Sequence, residues 1–444
     1  MSKRKNVIII GAAGRDFHNF NILFRDSMEF RVVAFTAAQI PYIENRNYPK
    51  ELSGRLYRNG IRIYGEERLP ELIDELHADI CVMSYSDLSY QEVMKKGSIC
   101  NSKGADFALI APEHTMLKSR KPVIAICAVR TGSGKTQTTK YVSLLLRRLG
   151  IKPVIIRHPM PYGVLKDEIL ERFETLEDLD RYKATIEEKE DYEPHIKNGF
   201  VVYAGVDYEK ILSAAEKEAD VVIFDGGNND APFIKPDLLI TVADPLREGN
   251  ELSYYPGETV ARMADILLIN KVNSATKEQV ARVRRNLRSI NGRAKIIKAE
   301  SVIKVDDASL IKGRSAGIVE DGPSITHGGM KFGAATVAAN LYGARKIVDA
   351  KEYAVGEIKK TFEKYPHLKN ALPAIGYSEK QIKDLGETIN RIKADIIISA
   401  TPTDLGRLIK INKPLIQVYY DLRPIGNDLD SAIRDFVSKK VRNR

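Results

Sequence analysis

Thr131-Gly132-Ser133-Gly134-Lys135-Thr136 joins small residues, a lysine and a hydroxyl in one run. That set suits the phosphate tail of a nucleoside triphosphate. Glycines let backbone N–H groups approach phosphate oxygens, Lys135 reaches the β- and γ-phosphates, and Thr136 holds a magnesium ion. Thr131, Gly132, Ser133 and Gly134 are therefore candidate nucleotide-binding residues together with Lys135 and Thr136. The usual pattern places a further glycine at the position of Val129. Here Val129 is expected to extend the preceding strand, leaving the turn to Gly132 and Gly134.

A second carboxylate motif follows an apolar run. Val221-Val222-Ile223-Phe224 ends in Asp225-Gly226-Gly227, and an acid at a strand's carboxyl end can serve the metal shell beside a phosphate loop. Ile266-Leu267-Leu268-Ile269 runs into Asn270-Lys271-Val272-Asn273, similar to the guanine-reading element of GTPases but with Asn where an Asp would accept both edge protons of guanine. Asn270 and Lys271 either flank a base or ribose or form a polar strand exit. Cations also gather after strand ends, where parallel sheets bind ligands. Arg157 and His158 follow one strand, Arg247 follows another, and Arg130 stands beside the loop. Arg130, Arg247 and His158 are candidates for stabilising a transferred phosphoryl group. The glycine-rich stretch Asp321 to Gly333 carries His327 and Lys331; it reads either as an anion-holding loop or as a linker.

The elements that must position these residues follow a strand-then-helix rhythm. Pro122 to Val129 reads as a strand buried on both faces, and Val142, Leu145, Leu146 and Leu149 form one helical stripe closed by Gly150. Short strands are expected at Val7 to Ile10, Arg31 to Phe35, Asp79 to Ser84 and Asp106 to Ile110. Further strands are expected at Pro153 to Arg157, Asp220 to Phe224, Leu238 to Ala243, Ile266 to Ile269, Lys295 to Ile297, Asp395 to Ser399 and Pro414 to Tyr419. This predicts an α/β protein with three domains: a Rossmann-like domain over residues 1–120, a P-loop domain with a mainly parallel sheet over 121–345, and an α/β extension over 346–444. The first strand enters Gly11-Ala12-Ala13-Gly14-Arg15, an incomplete dinucleotide fingerprint, and Arg15 and His18 could present an anion site there. A charged helical insertion occupies about 160–200. Its acids at helical spacing, from Asp167 to Glu193, suit either a solvated face or a mobile cover.

At 444 residues, 43% hydrophobic and 29% charged, the chain is large enough for several cores. No apolar run is long enough for a bilayer span and no leader pattern opens the chain, so a cytoplasmic protein without membrane association is expected. Cys81, Cys100 and Cys127 lack metal-ligand spacing and read as small core residues. The net charge of +10 fits a polyanionic small molecule, and without aromatic-basic interleaving no nucleic-acid partner is expected.

Taken together the motifs resemble the archaeal cyclic 2,3-diphosphoglycerate synthetase family. The resemblance runs over nearly the whole chain. It rests on Gly11 to Asn21, Arg130 to Thr136, Asp225 to Asp230, Ala243 to Arg247, Tyr254 to Glu258 and Thr326 to Met330. It implies an ATP- and Mg2+-dependent ligase, here a homodimer, that phosphorylates one phosphate of 2,3-bisphosphoglycerate and closes the ring, with proximity supplying much of the acceleration. In that reading Lys135 and Thr136 hold the nucleotide and metal, Asp225 the metal, and Arg157, His158, Arg247, His327 and Lys331 the substrate. Two other readings fit the same motifs: an NTPase or phosphotransferase for another acidic metabolite, and a nucleotide-dependent switch or metallochaperone.

Overall fold

The computed structural model describes residues 4–12, 14–38, 46–157, 163–227, 230–376 and 378–442. Two large sheets organise them. The first places its strands in the order Asn47–Tyr48, Ile61–Gly65, Phe30–Ala37, Lys5–Ile10, Ile80–Met83, Asp106–Leu109. All but the outermost pair are parallel. This is the strand order of a Rossmann-type half, reversing direction beside Lys5–Ile10. Val7, Ile8, Ile9 and Ile10 are fully buried because helices cover both faces.

The second sheet has thirteen strands. The half that carries the glycine loop runs Pro153–Arg157, Val221–Asp225, Val123–Ala128, Leu238–Ala243, Ile266–Ile269, Lys295–Val305, all parallel. The strand Val123–Ala128 lies centrally, with every residue buried. The helix Lys135–Arg148 follows it, and Val142, Leu145 and Leu146 bury the predicted stripe. Gly150, at φ 76°, takes the left-handed conformation that ends it.

The expected strands are all present, and the sheet does not stop at the half that carries the glycine loop. The long strand Lys295–Val305 pairs antiparallel with Leu415–Pro424, which continues into Ile396–Ser399 and Ser315–Asp321. The hydrophobic core of this C-terminal region gathers residues from Ile311 to Val418, so the buried apolar residues of 311–345 belong to it. The final helix, through Leu429, Ile433 and Phe436, returns to the P-loop core. A division at residue 346 therefore cuts through a single core. Sequence pattern hid this because Ser315–Asp321 is a buried parallel strand whose neighbours lie far along the chain.

Cys81, Cys100 and Cys127 are free and buried, as their apolar surroundings suggest. Among the described residues no helix is long and apolar enough to cross a membrane.

Candidate active site

The strand ends at Ala128, one residue short of the expected extension, and Val129 stands just beyond it, donating its N–H to Val242 O at 2.9 Å. Its carbonyl packs on Gly257, where a Cβ would collide with the Val129 backbone. The glycine missing from the loop pattern thus has a counterpart across the fold, in Tyr254-Tyr255-Pro256-Gly257. Gly132 and Gly134 hold φ of 75° and 111°, a region that favours glycine. A side chain on Gly134 would strike the Asn270 amide.

The element after Ile266–Ile269 braces this loop. Asn270 Nδ2 donates to Ser133 O at 3.0 Å, and Lys271 Nζ donates to Gly132 O at 2.6 Å and pairs with Asp244 at 2.9 Å. Asn273 exchanges two bonds with the Ser301 backbone, Nδ2 to the carbonyl and Oδ1 from the N–H, both 3.0 Å. Its amide is consumed there. Lys271, Ser274, Ser301 and Ile303 line the cavity.

Lys135 and Thr136 face a cavity of about 230 Å³ into which residues of all three regions of the chain converge. Burial, reinforced by Arg157, lowers the Lys135 pKa, while Asp225 and Asp191 oppose the shift. Thr131 also lines the cavity, and its Oγ1 finds no partner among the described residues. Arg157 lines it too, fixed by Asp191 at 2.5 Å and Asp225 at 3.0 Å.

Asp225 is fully buried behind Arg157. One oxygen meets Arg157 and the other His195 Nε2 at 3.2 Å. Burial alone would raise its pKa, but Arg157, His195 and Lys135 together hold it below the usual carboxylate range. Its immediate task is to orient Arg157.

Two of the expected phosphate-handling arginines are occupied elsewhere. Arg130 pairs with Asp87 at 2.6 Å, bonds Asn250 and the Gly328 carbonyl, and stacks over Tyr254 at 3.6 Å. It thereby fastens the N-terminal domain to the His327 loop. Arg247 pairs with Asp244 at 2.9 Å and donates to Gly328 O at 2.7 Å and Ser133 Oγ at 3.4 Å. Neither side chain is among the cavity's lining residues. His327 is, and its Nε2 has no hydrogen-bond partner among the described residues. Burial lowers its pKa, against Asp87 and Asp321, which favours the neutral ring. Lys331 is exposed. His158, Asn228 and Asn229 lie outside the described residues. In the N-terminal domain Arg15 lines the cavity, whereas His18 is stacked on Phe233 at 4.5 Å and bonded through Nε2 to Thr115 O at 2.7 Å.

The acidic insertion holds what the motifs did not indicate. Asp167, Glu174, Glu177 and Asp180 are exposed, as a solvated face has them, but the helix Ile186–Ile196 is not such a face. Glu187, Glu188, Glu190 and Glu193 are all buried. It packs beside Lys135–Arg148, and Glu187, Glu190 and Asp191 face the cavity. Glu187 Oε1 accepts from Gly376 N at 3.0 Å, and Glu190 Oε1 accepts from the Thr401 hydroxyl. No donor among the described residues reaches either Oε2. Burial pushes Glu187 up to about 7 and Glu190 well above its ordinary value. Asp321, at the end of Ser315–Asp321, joins them at the cavity wall. Two signals were in the sequence. Glu187, Glu190 and Asp191 share one helical face through i, i+3, i+4 spacing, and Asp321-Gly322 repeats the strand-ending Asp-Gly of Asp225-Gly226.

This fold and site define a P-loop nucleotide-binding α/β protein. No family model matches the chain. It is 56% identical over 424 residues, 96% of this chain and 95% of the other, to the arginine synthetase ArcE of Thermococcus kodakarensis. A cyclic 2,3-diphosphoglycerate synthetase of Thermococcus sibiricus is 27% identical over 292 residues, 61% of this chain and 65% of that one. Among solved structures, LpxK of Aquifex aeolicus with ATP covers 84% of this chain and 99% of its own at 14% identity and a TM-score of 0.46. The chain belongs to the synthetase family of ArcE, to which cyclic 2,3-diphosphoglycerate synthetases are more distantly similar.

Proposed function

We propose that this chain is an ATP- and magnesium-dependent synthetase whose product is arginine. One observation carries the choice: acidic side chains outnumber basic ones around the cavity, and Glu187 and Glu190 each bring to it a buried oxygen without a donor among the described residues. Such oxygens want a cation. A guanidinium, with its planar fork of N–H donors, meets that need. A bisphosphorylated acid would bring further negative charge against the same wall.

Lys135 and the loop N–H groups suit the nucleotide phosphates, and Arg157 suits the phosphoryl group in transfer. The spent amide of Asn273 removes the acceptor that guanine needs, which supports ATP. A magnesium ion fits the loop. Among the described residues no group of three His, Cys, Asp or Glu is placed to hold a metal alone, in keeping with magnesium's habit of binding through phosphates, water and one or two protein groups. Thr136 would hold it, with Asp225 contributing field from behind Arg157; its chemistry is to neutralise charge on the phosphates. To make a guanidinium from its ureido analogue, the ureido oxygen takes the γ-phosphoryl group. A nitrogen nucleophile then displaces phosphate from the activated carbon.

The second reading, closure of 2,3-bisphosphoglycerate to its cyclic anhydride, draws on Arg15, Arg157, Lys135 and Lys271 at the cavity and on the more distant relatives. One pair of incubations separates them. With Mg-ATP, ammonium and the ureido analogue of arginine, formation of arginine with ADP and phosphate supports the first reading. A phosphoanhydride signal in phosphorus NMR with 2,3-bisphosphoglycerate, and no arginine, overturns it.

A further inference from the structure

We propose that Arg15 and Asp230 form the seat for the α-carboxylate and α-ammonium of an amino-acid substrate; this rests on the arginine-forming reading. In the first sheet the strand order reverses between Lys5–Ile10 and Ile80–Met83. The crevice beyond the carboxyl ends of two such strands is where open α/β sheets take ligands. The segments that leave both ends, residues 14–16 after the first strand and 84–86 after the second, line the same cavity as Lys135 and Glu190. The N-terminal domain therefore supplies a wall of the site onto which the phosphate loop faces.

Arg15 is 7% exposed, and three contacts hold its guanidinium in place. It lies over the Phe233 ring at 4.5 Å, Nη2 donates to the Ala231 carbonyl, and Nη1 donates to Thr115 Oγ1 at 3.5 Å. Nε has no hydrogen-bond partner among the described residues. The Asp230 carboxylate stands 4.0 Å from it, beyond hydrogen-bond reach. A buried guanidinium with an unspent N–H calls for an acceptor, and a carboxylate meets it with a charge-assisted bond. Asp230, itself buried, lines the cavity beside Arg15. The two side chains thus set a positive and a negative group side by side, the charge pattern of an α-amino acid's carboxylate and ammonium in reverse. Of the cavity's other cations, Arg157 is held by Asp191 and Asp225, and Lys271 by Asp244 and Gly132 O. With Glu187 and Glu190 receiving the guanidinium, the cavity offers complementary charge to both ends of arginine.

The experiment crosses variants of the full chain with truncated substrates, in the presence of Mg-ATP and ammonium. The parent is expected to show a KM about 50-fold higher for the decarboxylated counterpart of the ureido analogue than for the analogue itself. R15Q is expected to raise the KM for the full analogue by a similar factor and to bind Mg-ATP as the parent does in calorimetry. Its KM for the decarboxylated substrate should stay within about threefold of the parent's, because the contact it removes is already gone there. D230N is expected to lose the full analogue in the same way and to treat the deaminated counterpart as the parent does. R15K, which keeps the charge and loses the planar fork, should recover part of the affinity for the full analogue alone. Equal loss of the full and decarboxylated substrates in R15Q, or no loss of either, with nucleotide binding intact, overturns the seat. A parent that takes the decarboxylated substrate as well as the full one overturns it whatever the variants do. Absence of any guanidino product from the parent protein overturns the arginine reading and this seat with it.

Discussion

The loop side of the cavity is lined by the glycine turn and Lys135, whereas the insertion helix and Asp321 line it with carboxyl groups. The first is a motif: its residues are contiguous, and its backbone geometry fixes their types. The second is assembled from positions about 130 residues apart, and each acid alone reads as a surface charge. A contiguous loop can be found by pattern, while a wall of acids depends on what the tertiary fold buries.

The sharpest way to break this contrast is to remove its cationic side. Lys135→Ala is expected to reduce turnover on the order of 10³-fold and to abolish detectable Mg-ATP binding; intact binding would detach the loop from the nucleotide. Next, Gly134→Ala places a methyl against Asn270 at a φ of 111°. It should weaken ATP binding about tenfold and cost roughly 1–3 kcal/mol in unfolding free energy, read by calorimetry and denaturant titration. Lys271→Ala, which removes a brace at Gly132 O, should raise the KM for ATP several-fold with less effect on kcat.

The carboxylate side carries a pH signature. Burial raises Glu168 to about 7, Glu171 to about 8 and Glu188 to about 8. Their folded pKa values lie above the unfolded ones, so the folded state binds more protons between about pH 4.5 and 8. Stability should fall as pH rises through that window and level off above it. Thermal unfolding at pH 6 and 8.5 measures this, and Glu188→Gln should flatten the slope while keeping its cap on Thr185. The smallest effect is expected of Lys331→Ala, whose side chain is exposed: unchanged KM and kcat in the same assay would separate it from His327.

The sequence made the strand-loop-helix at Val123–Arg148 readable because buried parallel strands are continuously apolar and the helix has one clean stripe. Asp225 and Arg157 were findable for the same reason, each ending such a strand. Their bond to each other was not, since register between strands leaves no mark in either. Arg130 and Arg247 show the limit from the other direction. Position beside the loop suggested phosphate contact, but Asp87, Asp244 and the carbonyl of Gly328 claim their donors, and all three are remote in sequence or ordinary in type. The acids of the helix Ile186–Ile196 were hidden by their own chemistry, because burial of several carboxylates on one helix is costly and unexpected unless a ligand or a proton compensates.

The antiparallel pairing of Lys295–Val305 with Leu415–Pro424 runs over seven residue pairs, from Ala299 to Val305. It welds the P-loop region and the C-terminal region into a single stiff plank, for bending it there would break a ladder of backbone bonds at once. No doorway can open along that seam. The N-terminal domain is held by a different kind of joint: a two-residue ribbon between Leu88–Ser89 and Tyr254–Tyr255, the Arg130–Asp87 pair, the His18–Phe233 stack, and Leu165 and Val206, which pack into its hydrophobic core.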